Sequence, residues 1–489
     1  MHLSNYAYVF VIALAAFFLA LSKNGILDKK TSQEWFVIWA AVNFFAFFVP
    51  QIWVLFLLVS ALVLYMRQRV DYIVLYCLML FMLPNLHAQI PGFGIINYFF
   101  SLSYNRLLIL LLLVPLILKP RPLAQNERVA IARLDFFVLS FVALMSILEF
   151  RDSTFTDSMR QVFYIFLDIL VPYYAISRNL KSLEHAYDCL KALLFTLTIV
   201  CAIGFFEMIL RWQIYNILSM IHMTVHIPYT MREGLLRSVV TFSSPIGLGF
   251  AGMIALMIFV FFNKRRFLRS PKKQFLFLTI IAGLFSTISR GPWLATVISM
   301  MAFFLQQPGR TRFILRILAV SFLAMIFLSA TPYFQKAVNL LPFIGDAASE
   351  TISYRERLID VSIRVFWKNP LLGDTGFMET PEMESMRQGQ GIIDIVNSYL
   401  QIALLYGFIG LLLYCAIFGQ LLLTLFKTKR HITREPEWQD LLAFLISLTI
   451  GIMVTIGTVS LVGYIPVIVW LAIGFATGVI RLAHQKAYS

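Results

Sequence analysis

The chain has 489 residues, is 60% hydrophobic and 13% charged, and carries a net charge of +15 at pH 7; its mean hydropathy is +0.81. Soluble domains hold about 45–50% apolar and about 25% charged residues, so an ordinary soluble enzyme is excluded and a polytopic membrane protein is expected. In such a chain the positive-inside bias accounts for much of the basic excess, and no nucleic-acid partner is expected.

The first span is read at Tyr6–Ser22, with no basic start or small-residue cleavage site to mark a removable signal. A polar loop, Lys23–Glu34, follows. Trp35–Met66 is apolar but interrupted at Pro50-Gln51; one helix of that length would measure about 48 Å against a hydrocarbon core of about 30 Å. Two short helices hinged at Pro50 are therefore expected. Asp71–Leu83 reads as a short span, Pro84–Ser103 as a loop and Tyr104–Leu118 as a span. Basic Lys119–Arg133 precedes spans at Leu134–Phe150, Val162–Ile176 and Ala186–Leu210. Further spans are expected at Pro245–Phe262, Gln274–Ser289, Pro292–Gln306 and Phe313–Ala330, and, after a long mixed-polarity segment, at Asn397–Phe426, Leu441–Leu461 and Tyr464–Ile480.

The fold class expected is an all-α transmembrane bundle of about 13–15 spans with one large periplasmic loop containing an amphipathic helix. It divides into an N-terminal bundle (1–330), the loop (331–396) and C-terminal helices (397–489). Basic clusters at Lys264-Arg-Arg266, Arg310-Thr-Arg312 and Lys427-Thr-Lys-Arg430, and Arg481 with Lys486, orient the C-terminal half. The outer segments then hold many arginines, among them Arg106, Arg151, Arg160, Arg211, Arg232, Arg237, Arg290, Arg355, Arg357, Arg364 and Arg387, but few lysines. A planar, permanently charged fork suits phosphate; ion pairing or snorkelling of helix-end arginines is the structural alternative.

Three stretches could carry chemistry. In Arg237-Ser-Val-Val-Thr-Phe-Ser-Ser-Pro245, Ser243 or Ser244 is a plausible N-cap and Pro245 suits the first helical turn. The outward helix start could also receive an anion. Ser289-Arg290-Gly291-Pro292 sets an arginine between two spans with almost no loop, an expensive and usually functional placement. Ser353-Tyr-Arg-Glu356 fits a capping box for an amphipathic helix. Leu358, Val361 and Val365 form its apolar edge, which Ile359, Ile363 and Phe366 widen, with Arg357, Asp360 and Arg364 opposite. Asn369-Pro370 ends the helix and Gly373–Gly376 turns sharply. Cys77, Cys189, Cys201 and Cys415 read as buried thiols. His222 and His226 share a helical spacing but lack nearby carboxylates, so no metal site and no cofactor is expected.

The ordered set Arg237…Phe242-Ser-Ser-Pro-Ile-Gly-Leu-Gly249, Ser289-Arg290-Gly291, Tyr354-Arg355…Pro370-Leu-Leu-Gly373…Gly376, Asn397-Ser-Tyr-Leu400 and Tyr406-Gly407…Gly410 resembles the O-antigen ligase/polymerase family of bacterial membrane glycosyltransferases. The resemblance implies an undecaprenyl-diphosphate-linked oligosaccharide donor and membrane lipids as partners, with transfer at the periplasmic face of the inner membrane and no nucleotide or metal. It implies a diphosphate role for Arg290, Arg355 and, more loosely, Arg237. Arg357 and Arg364 are further substrate-binding candidates, and Asn397 would orient the acceptor or the loop. Ligases of the family carry a histidine before that asparagine; here the position is Val396. Asp394 becomes the candidate base, with Glu356 and Asp374 as others. The missing histidine favours a polymerase of exopolysaccharide or O-antigen repeat units, working beside a flippase and a chain-length regulator. An O-antigen ligase, a polysaccharide or lipid transporter and an export scaffold are the alternatives.

Overall fold

The computed structural model describes residues 2–22, 26–94, 97–119, 121–151, 153–222, 229–232, 234–242, 244–264, 270–308, 346–387, 393–432 and 435–488. The expected span Phe313–Ala330, residue His226 and Ser243 fall outside them. In chain order the elements are α1 (His2–Ala16), α2 (Lys29–Phe48), α3 (Ile52–Met66), α4 (Tyr72–Met79), strands β1 (His87–Pro91) and β2 (Tyr98–Ser103), α5 (Tyr104–Leu108) and α6 (Val114–Leu118). There follow α7 (Gln125–Leu148), α8 (Phe155–Ile165), α9 (Val171–Asn179), α10 (Leu183–Leu210), α11 (Asn216–Ile221), β3 (Met231–Arg232), β4 (Leu235–Leu236), α12 (Pro245–Asn263), α13 (Pro271–Ser286) and α14 (Arg290–Leu305). The chain ends with α15 (Asp346–Phe366), α16 (Pro381–Glu384), α17 (Ser398–His431), α18 (Pro436–Ile456) and α19 (Ile465–Tyr488).

The fold is an all-α polytopic bundle. Among the described residues, 8 helices are long and apolar enough to cross a membrane, and Ile52–Met66, Tyr104–Leu118 and Arg290–Leu305 are shorter apolar helices. Large apolar side chains that face outward, such as Phe18, Leu57, Phe136 and Leu423, belong in lipid. Several expected spans are shorter than a bilayer. Tyr72–Met79 has 8 residues, about 12 Å of helix, and is buried from Ile73 onward. Its unbroken hydrophobicity reflects burial on every side inside the bundle.

Local signals set most boundaries. The break at Pro50 separates α2 from α3 as expected. Asp28 accepts from the Thr31 amide and starts α2 six residues before Trp35. The expected loop 84–103 instead folds as an antiparallel hairpin, His87 opposite Ser103, with an irregularity between Gln89 and Pro91. Cys77, Cys189 and Cys201 are buried, whereas Cys415 is exposed on α17, so the sequence reading of four buried thiols holds for three. His222 is buried, its Nε2 3.1 Å from the Ala46 carbonyl oxygen.

Segment 346–387 packs around a small apolar cluster separate from the main one. Leu358, Val361 and Val365 pack with Phe377, Met383, Met386, Ile395 and Leu404, each buried side chain worth about 1.5–3 kcal/mol over exposure. Two expectations fail here. The helix is already formed at Asp346, so Ser353 and Glu356 lie inside it and form no capping box. Ile359 and Ile363 are exposed and do not widen the packed edge 358, 361 and 365, whereas Phe366 packs against that core as expected.

Candidate active site

The first wall of the site is the strand-like run that precedes α12. Glu207, near the end of α10, is fully buried. Its carboxylate accepts from the amides of Ile214 at 2.9 Å, Val239 at 3.2 Å and Val240 at 3.0 Å. Val240 adopts φ 50, a left-handed conformation that is unfavourable for a β-branched residue; the Glu207 contacts hold it. Ser238 donates its amide to Ser286 O at 3.1 Å and its hydroxyl to Gly204 O at 2.5 Å. Ser244 caps α12 through the Gly247 amide at 3.1 Å, with Pro245 in the first turn, as the sequence reading allowed.

This scaffold lays Arg237 across the tight turn between α13 and α14. Its Nε donates to Thr287 O at 3.2 Å and a terminal nitrogen to Ser289 Oγ at 2.9 Å. Arg232 donates to Ile288 O at 3.1 Å, and Ile288 takes φ 44. Arg290 is the first residue of α14, so the turn delivers it beside Arg237 at a helix N-terminus. Gly291 has to be small: a Cβ there would stand 2.3 Å from Thr458 Oγ1.

Thr458 belongs to the loop between α18 and α19, which forms the second wall. A terminal nitrogen of Arg355, on α15, donates to Thr458 O at 3.4 Å. The buried Nε of Arg355 has no acceptor among the described residues, an arrangement that a ligand anion would complete. Ser398 donates its hydroxyl to Val459 O at 2.6 Å. Ser460 Oγ lies 2.6 Å from Asp394 Oδ1 and 2.7 Å from Ile395 O. Tyr354 donates its hydroxyl to Asp394 O at 3.0 Å.

Electrostatics binds these parts together. Burial pushes the Arg237 guanidinium down to about 10; repulsion from Arg232 adds to this and attraction to Asp394 opposes it. Burial also lowers Arg355, with Asp394 opposing and Arg290 adding repulsion. Four arginines thus share one site around one carboxylate. Among the described residues arginine outnumbers carboxylate here, an arrangement that suits a multiply charged anion.

Not every sequence candidate reaches this cluster. Arg357 and Arg364 are on the exposed side of α15, Arg364 within electrostatic reach of Glu382. Asn397 caps α17, its Oδ1 accepting from the Tyr399 and Leu400 amides at 2.9 and 3.2 Å. Glu356 is exposed, and Asp374 Oδ1 accepts from the Gly376 amide at 2.8 Å, which commits it to the turn. Several arginines of the segments expected to lie outside serve architecture. Arg106 forks onto Asp168, with the closest contact 2.7 Å, and Arg160 pairs with Asp157 at 2.7 Å. Arg387 pairs with Glu384 at 2.6 Å.

A latch fixes the module to the bundle. Gly407 interrupts α17 with φ 65 and ψ −165, and the 370–373 turn enters the kink. Phe408 N donates to Pro370 O at 2.8 Å, Ile409 N to Leu371 O at 3.3 Å and Asp374 N to Leu404 O at 2.8 Å. Arg151 closes it by donating to Leu372 O and Gly373 O, each at 2.8 Å, and to Leu405 O at 3.0 Å. The paired motifs Pro370–Gly373 and Tyr406-Gly407 are therefore two halves of one joint.

Sequence reasoning missed Glu207, Thr458, Ser460 and the work of Arg151. Glu207 did carry a signal, an ionisable residue within an apolar span. Nothing in Gly457-Thr-Val-Ser460 marks it without the fold.

Charged walls at one end of a multi-pass bundle form a site suited to an anionic ligand. Residues 275–415 match the family model described as O-antigen ligase. The match, over less than a third of the chain, supports an O-antigen ligase/polymerase-like family, which implies a glycosyltransferase-like enzyme activity in general. No curated protein matches the chain.

Proposed function

We propose that the protein is a membrane glycosyltransferase that polymerises undecaprenyl-diphosphate-linked oligosaccharide repeat units into exopolysaccharide or O-antigen. The observation that carries this reading is the gathering of Arg237, Arg290 and Arg355 around Asp394. The three guanidinium groups hold the diphosphate. An acceptor hydroxyl attacks the anomeric carbon of the donor sugar and gives its proton to Asp394, which Ser460 orients. The bond from that carbon to the diphosphate oxygen breaks, and the arginines stabilise the departing charge. No nucleotide or metal takes part. The segment 331–396 forms the periplasmic unit between the bundles 1–330 and 397–489, the bundle sits in the bacterial inner membrane, and a flippase and a chain-length regulator act beside it.

A second reading, ligation of the glycan to a lipid A core, is favoured by the family description over residues 275–415 and opposed by Val396 at the position of the family histidine. The test is transfer by purified protein from a synthetic lipid-diphosphate oligosaccharide, without added metal or nucleotide, with products resolved by size. A ladder at multiples of the repeat unit, lost in Arg290→Ala, is the expected result. A single transfer that requires a lipid A core would establish the ligase instead. Absence of transfer with every donor and acceptor supplied would overturn the assignment in favour of a transporter or a scaffold.

A further inference from the structure

A second concentration of arginine lies at the other end of the bundle. A cavity of about 720 Å³ is lined by Arg121, Arg128, Asp135, Phe136, Leu139 and Arg178, among others. It sits at the N-terminal half of α7. That helix has 24 residues, about 36 Å, and only beyond its far end does Arg151 reach the latch. The cavity and the arginine cluster around Asp394 therefore occupy opposite faces of the bundle.

The charges in the cavity do not cancel. Arg178 is spent on Asp135 at 2.5 Å, and Tyr173 donates its hydroxyl to the other oxygen of that carboxylate at 2.6 Å. Deeper, Arg481 is spent on Glu127 at 2.7 Å. Arg121 and Arg128 remain. Arg128 donates only its Nε, to Leu123 O at 3.2 Å, and Arg121 makes no hydrogen bond among the described residues. Among the described residues, two cations thus face a cavity whose other charged lining groups, Asp135 and Arg178, are paired with each other.

The other wall is apolar. Phe136 and Leu139 are 63% and 50% exposed on a candidate membrane span, so this side of the cavity opens onto hydrocarbon. An inorganic anion would leave that wall and most of the volume unused. A lipid uses both, with the phosphate against the arginines and the chains along α7. Basic pockets between spans at a membrane surface bind phospholipid headgroups by this combination.

We propose that this cavity is a binding site for the phosphate headgroup of an anionic membrane lipid, held by Arg121 and Arg128 with its acyl chains lying along Phe136 and Leu139. The inference is independent of the transfer reaction proposed above. The test is lipid retention by the full chain in detergent, read by native mass spectrometry during titration with dioleoylphosphatidylglycerol or dioleoylphosphatidylcholine. Wild-type protein is expected to prefer the anionic lipid by about ten- to thirty-fold, the gain from two arginines at a membrane surface, and Arg121→Gln/Arg128→Gln to lose that preference. Both positions are exposed, and monodisperse elution of the variant checks its fold. Equal retention of the two lipids by wild type, or an undiminished preference in the variant, would overturn the proposal. Displacement of the lipid by millimolar inorganic phosphate would overturn the lipid assignment and leave a small-anion site.

Discussion

Replacing Gly407 by alanine tests the joint that brings Arg355 to the site. A Cβ at this position would stand 2.2 Å from Leu371 O, and the backbone there, φ 65 and ψ −165, belongs almost exclusively to glycine. Forcing a side chain into that conformation costs about 1–3 kcal/mol. Relieving the clash means withdrawing the 370–373 turn, with loss of the Phe408–Pro370 and Ile409–Leu371 hydrogen bonds, each worth about 0.5–1.5 kcal/mol. The total, about 2–6 kcal/mol, loosens the module without removing the transmembrane core. Gly419 on the same helix is the control: nothing lies within 4 Å of its Cβ position, and alanine there adds up to about 1 kcal/mol of helix stability. The assays are limited proteolysis of segment 346–387 and oligosaccharide transfer. The expected result is rapid cleavage and at least about 100-fold slower transfer in Gly407→Ala, from misplacement of reacting groups, with Gly419→Ala like wild type. Equal protection and equal transfer in the two variants would refute the reasoning.

Arg355→Lys keeps a charge but loses the planar fork; transfer is expected to fall about 100-fold with an unchanged melting midpoint, and near-normal turnover would count against the diphosphate role. Ser460→Ala frees Asp394 Oδ1 and is expected to slow transfer about ten-fold or more while donor binding persists, a split read from separate binding and turnover measurements. Gly291→Ala is expected to displace the Thr458 loop and depress transfer, and the added change Thr458→Ala, which removes the clashing hydroxyl, is expected to restore part of it; a double variant no better than the single one would contradict the steric account. Arg106→Ala, by contrast, is expected to lower stability by about 1.5–3 kcal/mol through the orphaned Asp168, seen in thermal melting, with little effect on donor affinity.

The bundle was legible because lipid demands long apolar runs, and the Pro50 break, the Ser244 cap and the 290 turn follow local rules that act within a few residues. The apolar run at 72–83 marks the limit of that reading, since composition reports burial but does not distinguish lipid from protein as the surrounding medium. Arg237, Arg290 and Arg355 were legible as charges at the margins of spans. Their meeting with Thr458 and Ser460 was not, because it depends on how α15 and the loop after α18 approach from distant parts of the chain. The capping box at Ser353 failed for the opposite reason: a local pattern is satisfied equally well inside a helix that has begun upstream.

The buried Arg481 has a consequence for how firmly the helices are tied. It contacts Glu127 on α7 and the carbonyls of Ser177 and Leu180 at the end of α9, so one side chain of α19 pins two other helices. Drawing α19 away would strand the Glu127 carboxylate, which is buried, and breaking a buried pair in this way costs about 3–5 kcal/mol. The three helices are therefore expected to move as one unit.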